Sequence, residues 1–170
     1  MIRAQRDANE NSIESRYFIL LVILKESKDR IEKELKVKMA FEGNLIEIDG
    51  EGLELYTSKL IVKAIGRGFS PNNALRLLSD EEQLEIIELK KYSENKMRTI
   101  KARLIGDGGK TRKFVEKYSR CSMSVYGKTV SLIGNYEQLK IAKEAVDMIL
   151  YGAKLTTVYG FLIKAGLHGK

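Results

Sequence analysis

The chain has 170 residues, 44% hydrophobic and 31% charged, enough for one ordinary domain or two small ones. One proline and fourteen glycines point to an ordered globule, and the single cysteine, Cys121, excludes an internal disulfide and fits a reducing compartment. The net charge of +7 is uneven: residues 1–80 carry 13 basic and 13 acidic side chains, residues 81–94 are net −3, and residues 95–170 are net +10.

The longest apolar run, "YFILLVIL" at residues 17–24, is too short to span a bilayer and lacks the flanks of a signal peptide, so the chain reads as cytoplasmic with no membrane partner. Periodicity leaves that run open as a strand or as part of a short first helix. "VKMAF" and "NLIEID" then predict paired strands joined near Gly43. A helix follows with Tyr56, Leu60, Ile61, Ala64 and Ile65 on one face. In "GRGFSPNNALRLL", Gly66 and Gly68 end that helix, Ser70 is a natural N-cap, and Pro71 opens a short amphipathic helix.

The second half predicts a strand at "LEIIEL" and a helix over residues 95–105 with Met97, Ile100 and Leu104 at helical spacing. A glycine turn leads into a second helix, with Thr111, Phe114, Val115 and Tyr118 opposite Arg112, Lys113 and Lys117. "CSMSVY" alternates, Met123 and Val125 on one side and Ser122, Ser124 and Tyr126 on the other. "GK" turns into "TVSLIG", and a long helix carries Leu139, Ala142, Val146, Ile149 and Leu150 as one stripe. A short segment with Leu155, Val158, Tyr159 and Leu162 closes the half. Setting Gly50 against Gly134 makes the two halves a loose repeat, offset by 84 residues. The glycine turn then has its counterpart at Val22 to Lys25 or, with a short gap, at Lys25 to Lys28, and neither stretch contains glycine.

"RLIGDGGKTRKF", Arg103 to Phe114, places three glycines in four positions inside a basic block, with ten basic side chains against Asp107 and Glu116 over residues 96–128. A G-x-x-G turn between two helices lets a phosphodiester backbone approach, because no Cβ stands in the way. The amides of the following helix then face the phosphates. In the KH fold this turn clamps about four nucleotides of a single strand. Gly106, Asp107, Gly108 and Gly109 would form the clamp here, with Lys110, Arg112 and Lys113 neutralising phosphates. Arg98, Lys101 and Arg103 would flank it, and Ile105 would supply an apolar floor. Ser124, Tyr126 and Lys128 would line the opposite wall if their strand face points to the groove. Asp107 stands where such clamps often carry a basic residue, and either turns outward or tempers affinity. A solvated lysine-rich surface is the competing explanation of the charge. "GGKT" also ends like a nucleotide-binding P-loop, but that motif needs glycine where Leu104 stands.

The strings "KAIGRGFSPNNALRLL", "LIGDGGKTRKFVEKY" and "SVYGKTVSLIGNYEQLKIAKEAVDMIL" resemble the archaeal two-KH-domain relatives of the partner-of-Nob-One ribosome assembly factor, from about residue 37 to about residue 163. The resemblance implies an α+β fold with two tandem type I-like KH domains, each a three-stranded sheet packed by helices and followed by an extra C-terminal helix. The first, at 12–80, is degenerate and lacks the G-x-x-G turn; the second, at 81–165, carries it; 1–11 and 166–170 are mobile tails. It further implies an RNA-binding ribosome biogenesis factor at the 3′-end region of the small-subunit (16S) rRNA precursor. Its partners would be a Nob-type endonuclease and pre-40S/30S assembly components. On the family motif Gly106, Asp107, Gly108, Gly109, Lys110, Thr111 and Arg112 occupy the clamp and the start of its helix. The first domain, which departs from the family pattern by lacking a glycine turn, becomes a candidate protein-docking surface.

Catalysis has little support. The one histidine, His168, sits in a glycine-flanked tail, and Cys121 has no histidine partner in sequence. The acidic stretch from Asp80 to Glu88 reads as the exposed side of a turn and strand, so neither a metal nor a cofactor is expected. The chain therefore reads as an RNA binder and not an enzyme. The alternative is a protein-docking adaptor or scaffold in translation or ribosome assembly, with only nonspecific RNA affinity.

Overall fold

The computed structural model describes residues 10–168 apart from Asn44, with side chains from residue 21 to residue 166. The chain forms two compact units. The first takes the described residues up to Gly66 together with Ser70–Leu75, and the second takes Arg67–Phe69 and the described residues from Arg76 onward.

The first unit opens with helix α1 (Glu10–Leu35). The run at residues 17–24 lies wholly inside it, so the helical reading of that run holds. Buried positions continue past the run at Leu24, Ser27, Ile31 and Leu35, with three- and four-residue spacing. Lys28 and Glu32, one turn apart, pair at 3.7 Å. Lys36, at φ 52, ends the helix. Strands β1 (Lys38–Glu42) and β2 (Leu45–Asp49) pair antiparallel, with Met39 opposite Ile48 and Phe41 opposite Ile46. Helix α2 (Gly52–Gly66) buries Ile61, Val62, Ala64 and Ile65 and lies against α1. The Ser70 hydroxyl caps α3 (Pro71–Ala74) by accepting from the Asn73 amide. Among the described residues this sheet has two strands, where the sequence reading expected three.

The second unit contains β3 (Gln83–Glu88), α4 (Glu94–Ile105), α5 (Lys110–Ser119), β4 (Ser122–Tyr126), β5 (Thr129–Gly134), α6 (Tyr136–Leu150) and α7 (Leu155–His168). Its sheet is antiparallel with order β3–β5–β4. Side chains from α4, α5, α6 and α7 share one core with Met123, Val130 and Leu132 of the sheet. The central strand β5 is buried along its length. Asn135 and Gln138 form a reciprocal capping box that starts α6. Helix α1 starts at Glu10 and α7 runs to His168, so both reach into the stretches 1–11 and 166–170 expected as tails, of which 1–9 and 169–170 lie outside the described residues.

The repeat is more regular than its sequence. Lys38 corresponds to Ser122, Leu45 to Thr129 and Gly52 to Tyr136, each 84 residues on, with no gap. Lys36 and Arg120 share a left-handed backbone, as do Gly43 and Gly127 and also Gly68 and Gly152. The Glu32 carboxylate accepts from the Met39 amide at 2.6 Å, and Glu116 accepts from the Met123 amide at 3.0 Å. A Cβ on Gly50 would press Val37, and a Cβ on Gly134 would press Cys121, again at matching positions. At this offset α1 spans the positions of α4, the glycine turn and α5 together. Val22 to Lys25 replace the glycines, and one unbroken helix replaces the helix–turn–helix.

Candidate nucleic-acid interface

Helix α4 ends because Gly106 adopts φ 72, ψ 174, a conformation nearly closed to other residues, while its amide still bonds to Ala102 O at 2.8 Å. A Cβ there would stand 2.3 Å from Thr111 Oγ1 and 2.7 Å from the Thr111 backbone nitrogen. Asp107–Gly109 form a single 3₁₀ turn, and Gly109, at φ 79 and ψ 14, is the N-cap of α5. Gly109 has no side chain to cap the first amides of α5. Around Gly108 and Gly109 nothing lies within 4 Å of where a Cβ would be. The turn therefore has one tight side, which seats it on the start of α5, and one open side.

Exposed cations stand on the two helices that the turn joins. Lys110, Arg112 and Lys113 are exposed on the first turn of α5, and Arg98 is exposed on α4. Arg112 is half-exposed and makes a loose pair with Glu116 at 3.6 Å, a contact that solvent screens. Asp107 is exposed, and its backbone carbonyl accepts from the Lys110 amide. Ile105 is 39% exposed beside Gly106, an apolar surface next to the turn. A helix, not a strand, leads into the glycines, which removes the P-loop reading.

Other predicted site residues have partners inside the fold. Thr111 is buried, and its hydroxyl lies 2.9 Å from the Tyr159 hydroxyl of α7. Its side chain seats α5 and does not face a ligand. Tyr159 also stacks on Phe114, with ring centroids 4.3 Å apart. The sequence reading put Tyr159 in the core or an interface, and no local signal marked it as the support of the turn. Arg103 donates to Ile149 O at 3.0 Å and also to Ala153 O, so its guanidinium caps the end of α6 instead of flanking a groove. Ser124 is buried and donates to Arg67 O at 2.8 Å. Met123 and Val125 point into the helix-covered core, so Ser124 and Tyr126 occupy the opposite face of the sheet. Tyr126 packs there against Gly68. These two side chains do not form the wall assigned to them. Lys101 donates to Gly127 O at 3.1 Å, and Lys128 pairs with Glu94 at 3.3 Å, which ties the β4–β5 turn to α4.

Cys121 is buried, and burial pushes its thiol up to about 11, so the thiolate is scarce at neutral pH. In the acidic stretch Glu82 pairs with Arg76 at 2.8 Å, and Glu85 pairs with Lys143. Among the described residues no group of three or more His, Cys, Asp or Glu could hold a metal ion, and no helix is long and apolar enough to cross a membrane.

A family model for the second KH domain of partner-of-Nob-One proteins, described as a eukaryotic type KH-domain (KH-domain type I), matches residues 83–166. A crystal structure of Dim2p from Pyrococcus horikoshii is 36% identical and superposes with a TM-score of 0.78 over 86% of this chain and 93% of that one. This chain belongs to the partner-of-Nob-One (Dim2-type) family of KH-domain proteins. The a/eIF2alpha–aDim2p–rRNA complex from the same organism contains a chain 35% identical, with a TM-score of 0.80 over 88% of this chain and 90% of that one. A protein of unknown function from Aeropyrum pernix is 29% identical, with a TM-score of 0.79 over 91% and 87%. A KH domain-containing protein of Methanocaldococcus jannaschii is 43% identical over 143 residues, 79% of this chain. This family member spans 63% of that relative's length. In KH terms, β3-α4-turn-α5-β4-β5-α6 is the type I order, and Gly106 to Gly109 form the turn between its two adjacent helices.

Proposed function

We propose that this chain is a non-enzymatic, RNA-binding ribosome biogenesis factor. Its second unit grips a single strand of small-subunit (16S) rRNA precursor near the 3′ end. The observation that carries this reading is the open side of Gly108 and Gly109 at the uncapped start of α5, whose first turn exposes Lys110, Arg112 and Lys113, with Arg98 exposed on the preceding helix. The phosphates meet bare amides and the positive end of the helix dipole, the four cations cancel their charge, and Ile105 offers an apolar contact to a base. The rRNA in the complex of the Pyrococcus Dim2p supports RNA as the ligand, and its a/eIF2alpha supports a protein partner as well. Cooperation with a Nob-type endonuclease in the final cut follows from the family resemblance. The first unit is then a degenerate KH copy: the unbroken α1 offers no amide-lined bend, so that unit serves as scaffold.

The test is fluorescence anisotropy with a labelled oligonucleotide from the precursor 3′ end, comparing the native chain with Gly108→Asp/Gly109→Asp. Both positions have left-handed backbones, where aspartate is tolerated at roughly 1 kcal/mol each, and both have open space, so the fold survives. Binding is expected to be lost while circular dichroism is unchanged. A double variant that binds the oligonucleotide as the native chain does refutes the clamp. Incubation of the pure protein with precursor RNA and magnesium is expected to leave the RNA intact.

A further inference from the structure

Helix α5 carries positive charge along its whole length. Lys110, Lys113, Lys117 and Arg120, the residue that ends the helix, follow at spacings of three, four and three, so they form one stripe. All four are exposed, and the stripe runs about 15 Å from the glycine turn at 1.5 Å per residue. Among the described residues none of the four pairs with a carboxylate. Glu116, the one acid of α5, is held to the side by Arg112 at 3.6 Å and by the Met123 amide at 3.0 Å. Lys117 Nζ lies 5.3 Å from the centre of the Tyr118 ring, a contact that leaves its charge in place. The scaffold itself does not require such a stripe. At the same places of the repeat α1 exposes Glu26, Asp29, Lys33 and Lys36, two acids and two bases. Basic residues near a helix C-terminus suit its dipole, which accounts for the second pair in both units. Lys110 and Lys113 stand at the other end of α5, where the dipole disfavours a cation. Their charge therefore serves something outside the helix.

We propose that this stripe is a second, sequence-independent contact for RNA. The strand held at the glycine turn continues along the outer face of α5, where Lys117 and Arg120 neutralise two phosphates beyond the roughly four nucleotides that the turn clamps. This rests on the RNA reading of the turn. The stripe begins at the turn, so one strand reaches both. An acidic protein segment fits less well, because the stripe lacks the apolar and aromatic anchors that carry protein interfaces. The aromatic side chains of α5 are engaged elsewhere: Phe114 stacks on Tyr118 and on Tyr159 of α7. A surface of cations alone suits the sugar-phosphate chain and reads no base.

The experiment uses the full chain and labelled twelve-nucleotide RNAs, read by anisotropy over a salt series. Each RNA holds four nucleotides from the precursor 3′ end between two flanks of four uridines. One has phosphodiester linkages throughout, and two others carry uncharged methylphosphonate linkages in the 5′ or the 3′ flank. The variant is Lys117→Gln/Arg120→Asn, since asparagine tolerates the left-handed backbone at φ 63. On the fully charged RNA its log–log salt slope is expected to be shallower than the native one by about 1.4. Its deficit in affinity then shrinks about sevenfold between 50 and 200 mM salt. Neutralising one of the two flanks is expected to weaken the native chain by the same amount and to leave the variant unchanged. Exchanging the uridines for adenosines leaves affinity as it was. The proposal is overturned if variant and native chain bind the charged RNA with equal slopes. It is equally overturned if the variant's deficit persists with either flank neutral, or if the flanking bases change the affinity. The Gly108→Asp/Gly109→Asp variant separates this result from the clamp: native-like binding there sinks the clamp, whereas a lost clamp with no flank effect sinks the stripe alone.

Discussion

Replacing Gly106 and Gly108 separately by alanine distinguishes the two sides of the turn. At Gly106 the new methyl group would lie 2.3 Å from Thr111 Oγ1 and 2.7 Å from the Thr111 backbone nitrogen, and φ 72 with ψ 174 is strained for any L side chain. The hydroxyl cannot simply swing away, because it is engaged with Tyr159. Backbone strain and overpacking each cost about 1–3 kcal/mol, so a loss of roughly 3 kcal/mol is expected, with Tm down by about 10–20 °C for a unit of this size. At Gly108 nothing lies within 4 Å and φ is 54, so the left-handed penalty alone applies, about 1 kcal/mol. RNA binding should show a different pattern. Gly108→Ala places its methyl group on the open side, and an approximately tenfold loss of affinity, ~1.4 kcal/mol, is expected with the fold intact. Thermal and urea unfolding followed by far-UV circular dichroism, with anisotropy on the same preparations, reads both effects. Equal melting of Gly106→Ala and the native chain, or a larger stability loss at Gly108 than at Gly106, would show that the turn does not have one tight and one open side.

Affinity for single-stranded RNA should fall with salt at a log–log slope of about −2.8 if Lys110, Arg112, Lys113 and Arg98 each neutralise one phosphate, and each alanine replacement should flatten it by roughly 0.7; a slope near zero would remove the phosphate contacts. Arg103→Met is expected to destabilise the second unit by about 1–3 kcal/mol, because the Ile149 carbonyl at the end of α6 and the Ala153 carbonyl just beyond it lose a charged donor, while RNA affinity per folded molecule stays near native; a selective loss of RNA binding would return Arg103 to the interface. The Cys121 thiol, raised from 9.0 to about 11 chiefly by burial, is protonated in the folded chain over a range where the unfolded chain has released its proton. Its contribution to stability is therefore full below pH 9.0 and is lost as pH rises toward about 11. Urea titrations of the native chain and Cys121→Ala across that range should show the steeper decline in the native chain, and parallel curves would contradict the buried thiol.

Much of the fold was legible in the residues because its signals are local. Alternation in "SMSVY", the helical stripe of α6 and the Ser70-Pro71 start of α3 each follow from short-range backbone and periodicity rules. The run at residues 17–24 stayed ambiguous because eight apolar residues fit either period. It became a helix because the spacing of Leu24, Ile31 and Leu35 extends beyond it. Helix α7 runs through Gly160 and Gly166 to His168, although glycine lowers helix propensity. Gly166 sits where α7 comes close to α5, and a Cβ there would meet Tyr118 at 3.0 Å.

By itself the sequence determined the glycine turn, the order of elements around it and the concentration of positive charge beside it, since backbone freedom and formal charge belong to residues wherever they fold. Only the tertiary structure decided which of the nearby side chains are left for a ligand. Thr111, Arg103 and Ser124 look available in one dimension, but their partners Tyr159, Ile149 and Arg67 lie 48, 46 and 57 residues away along the chain. A hydroxyl or guanidinium near the core is fixed by the nearest compatible donor or acceptor in space, and that neighbour exists only once sheet and helices have packed.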